Sequence, residues 1–212
     1  MKQLVLILCV AFVASSYIYG QGYVITGEVQ GAEGQVVSLK QIRDQQSVEV
    51  ASTTVKSNKF TLKGSALYPE FCMLHIGDKG PVQFFVENSD IRIVVDMVNI
   101  EKSKVTGSKE NDVFMEFVGS LEKYAQQQKQ LNDSYVSLSS SSIASPDAVM
   151  KIRAQLEKLN ADRSAYMISF VQKYPGKIAT AFIVNNVLLN SLDVTQLNQV
   201  VKEFDAKSGQ SP

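Results

Sequence analysis

The hydrophobic period of this 212-residue chain changes once, near Ser108, and that change limits what the chain can fold into. Before it, apolar and polar residues alternate over short runs bounded by turn residues, as in half-buried strands. After it, apolar residues recur every three or four positions, as on one face of a helix.

The first part predicts strands at Tyr23–Thr26, Gln35–Ile42, Val48–Val55, Phe60–Lys63, Phe71–Ile76, Val82–Glu87, Ile91–Val95 and Lys102–Gly107. Gly31, Gly34, Asn58-Lys59, Gly77-Asp78-Lys79-Gly80-Pro81 and Asn88-Ser89 punctuate them. Short strands with no helical crossovers imply an antiparallel β-sandwich or open barrel. In the second part Val113, Phe114, Phe117, Val118, Leu121, Tyr124 and Ala125 form a helical stripe, continued by Leu131, Tyr135 and Leu138. Ser139–Ser142 breaks it. Ser145-Pro146-Asp147 starts a second helix, with Ser145 expected to cap free backbone donors. Tyr174-Pro175-Gly176 stops that helix. Ile178–Leu189 predicts a short buried helix. Asp193 and Gln196 form a capping box for the last one, with Leu192 against Leu197 as its staple. The fold class is therefore α+β: a β-rich domain followed by a helical region whose first two helices form a hairpin.

The N-terminus carries an export signal. Lys2 precedes ten apolar residues, Leu4–Val13, which is short of the roughly 20 needed to span a bilayer. A small-residue exit follows, so residues 1–20 are read as a signal peptide cut after Gly20, with a cut near Ser15 or Ser16 as the alternative. The expected divisions are 1–20 signal peptide, 21–107 β-rich domain, 108–206 helical region and 207–212 disordered tail. The chain is placed in the periplasm or cell envelope, with no stable membrane span once the signal is removed.

Composition removes several functions. Lys and Arg number 21, as do Asp and Glu. A balanced chain gives no electrostatic reason to bind nucleic acid. Cys9 leaves with the signal peptide, so Cys72 is alone and no Cys-x-x-Cys exists. Phe71, Met73 and Leu74 place Cys72 in an apolar strand, where a thiolate is disfavoured. His75, three residues on, falls on the opposite strand face and is expected at the surface or a sheet edge. One histidine is too few for a typical zinc site. Glu87, Asp90 and Asp96 are scattered at strand ends. The Asn132-Asp133-Ser134 sequon sits in a predicted helix. No catalytic, cofactor-binding or metal-binding residues are assigned, and no cofactor is expected.

Four segments carry a family resemblance: Tyr23–Val29, Phe60–Gly64, Phe84–Glu87, and Val105–Ser108 followed by Asn111. Together they resemble the domain of unknown function DUF4369. The resemblance implies the β-rich N-terminal module of secreted thiol-disulfide oxidoreductases of the AhpC/TSA and TlpA-like kind, mainly in Bacteroidetes. In those proteins a helical segment similar to Phe170–Pro175 leads to a thioredoxin-like domain. Ser89 stands where the family often has Gly. The family's redox residues map to no position here, because this chain has no Cys-x-x-Cys and is expected to lack the redox domain. The expectation is a non-catalytic envelope module that binds an unknown protein or small ligand. The alternatives are a truncated accessory part of such an oxidoreductase, and an enzyme with a dispersed carboxylate site.

Overall fold

The computed structural model describes residues 22–140 and 145–208, with side chains described as far as Lys202. The predicted signal peptide and most of the predicted tail lie outside the described residues. The eight strands are β1 (Tyr23–Val29), β2 (Val36–Arg43), β3 (Gln46–Thr54), β4 (Lys59–Gly64), β5 (Glu70–Ile76), β6 (Val82–Val86), β7 (Asp90–Val95) and β8 (Lys104–Thr106). They form two four-stranded sheets, β4-β1-β7-β8 (sheet A) and β3-β2-β5-β6 (sheet B). The structure is α+β, as the change of period implies.

Turn chemistry sets the hairpins. Asp44 and Gln45 adopt φ of 50° and 63° between β2 and β3, as a tight hairpin turn requires. Ser57 and Asn58 do the same before β4, and the Glu33 carboxylate accepts both of their backbone N–H groups at 3.1 Å. In β1, Gly27 leaves room for the Phe60 ring, which lies 1.9 Å from where a Cβ would stand. A strand glycine here marks a close approach.

Five of the six strand pairs are antiparallel, and the sixth, β1 with β7, is parallel. The expectation of a wholly antiparallel domain is corrected at that pair. A hairpin forces neighbours to run in opposite directions. β1 and β7 are instead joined by a path that crosses between the sheets, so a period-two pattern says nothing about their relative direction.

The sheets pack face to face over a core of Ile25, Phe60, Leu62, Ile91 and Ile93 from sheet A. Val37, Leu39, Leu74, Ile76 and Phe84 face them from sheet B. The other face of sheet B carries the helices, so sheet B is the middle of three layers. α1 (Lys109–Ser139) and α2 (Pro146–Lys173) form the hairpin. Tyr135 accepts from Arg153 at 2.8 Å near its tip, Tyr124 donates to the Asp162 carbonyl midway, and Glu116 pairs with Lys173 at 2.8 Å at its base. These rungs fix the antiparallel register. The Ser145 hydroxyl makes no cap bond, contrary to expectation; its carbonyl accepts from Ala148 at 3.0 Å, and Pro146 occupies the first turn.

The predicted helix at 178–189 is interrupted. α3 (Ile178–Ile183) passes through a π-helical turn (Val184–Leu188) into α4 (Leu189–Ser191). The buried residues explain this: Ile183 and Leu188 are five apart, which only a π turn keeps on one side. α5 (Val194–Ser208) opens with the expected capping box. Asp193 Oδ1 accepts from Gln196 N at 2.9 Å, and Gln196 Oε1 accepts from Asp193 N at 3.1 Å.

Candidate functional site

Two features of sheet B stand out: a polar junction that fixes the helices on its outer face, and a cleft left open around its end. The junction begins with Gly107, at φ 94°, whose missing Cβ would lie 2.0 Å from the Asp90 carbonyl oxygen. Only glycine fits this sharp exit from β8. Ser108 then caps α1, its hydroxyl accepting from Asn111 N at 3.0 Å. Glu87, at the end of β6, accepts from Lys109 N and Glu110 N, placing a carboxylate at the positive end of the helix. Asn111 is fully buried and accepts from Phe85 N at 3.3 Å, filling a rung at the edge of sheet B. Glu110 is 5% exposed; it accepts from Ala179 N at 2.9 Å and pairs with Lys177 at 3.3 Å, so it caps α3 in turn. Two carboxylates thus tie one sheet to two helices.

Beside the junction lies an aromatic quartet. Phe71 of β5, Phe85 of β6, Phe114 of α1 and Phe182 of α3 all contact one another, with ring centroids between 4.4 and 6.0 Å. Phe71 and Phe182 are stacked, the other pairs edge to face, as ring quadrupoles favour. Phe85 is sealed, whereas Phe71 and Phe182 are only partly covered and reach the cleft.

The cleft wraps around the end of sheet B and encloses about 1020 Å³. Phe71, Phe182 and Ile178 form its apolar side. On the other side Arg43 donates through Nε and Nη2 to Gln41 Oε1, at 3.0 and 2.7 Å, and Gln41 donates in turn to Glu70. Gln41 is buried and orients the guanidinium beside the opening. Asn185 and Asn186 of the π turn face the cleft as well. Over the opening stands the β4–β5 loop. Asn88 anchors it as a strand would, accepting from Ala66 N at 2.9 Å and donating to Ala66 O at 2.7 Å. Beyond that anchor Leu67 is 94% exposed and Tyr68 62% exposed. Exposed apolar residues beside a polar-rimmed concavity are the usual mark of a contact surface.

Residues 23–114 match the family model of the domain of unknown function DUF4369. The resemblance read from the sequence therefore holds for the β domain, and the match ends inside α1. No curated protein and no solved structure matches the chain. The segments that carry the DUF4369 resemblance now have physical roles. Gly27 and Phe60 meet across β1 and β4, while Phe85, Glu87, Gly107, Ser108 and Asn111 build the junction. Ser89, where the family often has Gly, donates from its hydroxyl to the Gly107 carbonyl at 2.8 Å and so supports the same exit.

The residues weighed from sequence are dispersed. Cys72 points into the inter-sheet core with no exposure, 3.5 Å from Gln41 Nε2, and burial pushes its thiol up to about 11. His75 is on the opposite face of β5, half-buried against Lys40; burial and that ammonium hold its imidazole below the usual value. It lies on an inner strand, not the sheet edge. Asp96 accepts from Val98 N and Asn99 N at 2.9 Å, and these bonds hold its carboxyl low. Glu87 is committed to α1. Asn132-Asp133-Ser134 lies within α1, with Asp133 paired to Lys129 and Ser134 bonded to the Gln130 carbonyl. Among the described residues no group of three His, Cys, Asp or Glu side chains could hold a metal ion.

The cleft residues were not singled out in the sequence. One signal was present: Phe84-Phe85-Val86 and Phe71-Cys72-Met73-Leu74 break strict alternation, as strands covered on both faces do. It reveals the second covered face of sheet B. It does not reveal the loop and π turn that frame the opening.

Proposed function

We propose that this chain is an exported, non-catalytic binding module of the cell envelope, whose partner seats in the cleft at the end of sheet B. The observation that carries the reading is Leu67 and Tyr68, held in solvent by an anchored loop beside Phe71 and Phe182. Export rests on the Lys2–Gly20 leader pattern, and no helix among the described residues is long and apolar enough to cross a membrane. The partner is an envelope protein or a small ligand. The test uses residues 21–212 as bait in an envelope extract, beside the double variant Leu67→Asp, Tyr68→Ala. Capture of a defined partner by the wild type and its loss in the variant support the reading. Equal capture by both overturns the site.

A second reading, a truncated accessory part of a thiol-disulfide oxidoreductase without its redox domain, rests on what the DUF4369 resemblance implies, the match itself naming no activity. In that case the chain alters the turnover of a separately supplied thioredoxin-like enzyme without reducing insulin itself. Thiol exchange needs an attacking thiolate and a resolving thiol. Cys72 is buried and protonated at neutral pH.

A further inference from the structure

We draw no further inference here: the strongest candidate, the apolar groove of about 540 Å³ between α1 and the π-helical turn over the stacked Phe71–Phe182 pair, carries nothing because nothing in the structure shows what covers it.

Discussion

The two faces of sheet B are built differently. The inner face presents Val37, Leu39, Leu74, Ile76 and Phe84, all without solvent exposure, to a second sheet. The outer face presents Phe71 and Phe85 to helices, which cover Phe85 and leave Phe71 partly open. Two twisted sheets can seal along their whole length. The helices cover sheet B over part of its area, so a margin beside Phe71 stays uncovered. The cleft lies at that margin. The inner face therefore supplies stability along most of its length, and at the end of the sheet its Gln41 and Glu70 share the cleft with Phe71 of the outer face.

Breaking each face separately tests this division. Phe84→Ala and Phe85→Ala each delete a fully buried ring, and each is expected to cost about 3–5 kcal/mol in urea unfolding. The two should differ in kind. Phe84→Ala loosens the β domain as a whole. Phe85→Ala first exposes amides of α3 and α5 to hydrogen exchange, leaving the strands protected. Identical exchange patterns in the two variants would show that the layers do not divide.

The inner face also has a pH signature. The Cys72 thiol rises from 9.0 to about 11 in the folded chain, so the native state holds its proton more tightly than the unfolded state. This contribution is complete below the unfolded value and is lost as pH climbs through about 11. The loss is about 2–3 kcal/mol over that window, and Cys72→Ala should reduce the alkaline slope, leaving the part contributed by Tyr23 and Tyr166, whose phenols burial also pushes up. Native Cys72 should also resist a thiol reagent at pH 7 on the timescale that labels the urea-unfolded chain.

The junction sharpens the comparison at lower energy. Glu110→Gln keeps an acceptor for Ala179 N but loses the charge that faces Lys177 and the start of α3. A loss of about 1 kcal/mol is expected, measured by urea unfolding with Lys177→Gln as the double-mutant partner. Full additivity would mean that the pair is not coupled. The smallest effect on stability belongs to the cleft: Leu67→Asp with Tyr68→Ala should stay within about 0.5 kcal/mol of wild type, because both side chains are already exposed. A large loss there would make the loop a structural element and remove it from the binding surface.

Strand positions were legible because the sandwich buries one side of most strands, which imposes period two. β7 shows it plainly: Ile91, Ile93 and Val95 are buried, and Asp90, Arg92 and Val94 are exposed. Helix limits were legible where caps are local, as at Asp193 and Gln196. The π turn was not, because nothing in Val184–Leu188 demands it; the five-residue step between Ile183 and Leu188 follows from what each packs against. His75 was placed on the correct face relative to Cys72, and of the two expected settings, surface or sheet edge, the edge is excluded by its inner strand, since alternation gives faces and says nothing of strand order.

The sequence by itself determined the α+β division, the strand and helix faces, the DUF4369 resemblance and the apolar strand setting of Cys72. Each depends on residues close together in the chain, on periodicity, or on composition. Tertiary structure decided the parallel pairing of β1 with β7, the middle position of sheet B and the transfer of α3 capping to Glu110. It also decided where the cleft lies. All of these join residues distant in sequence, and their energy comes from contacts that exist only once the layers have met.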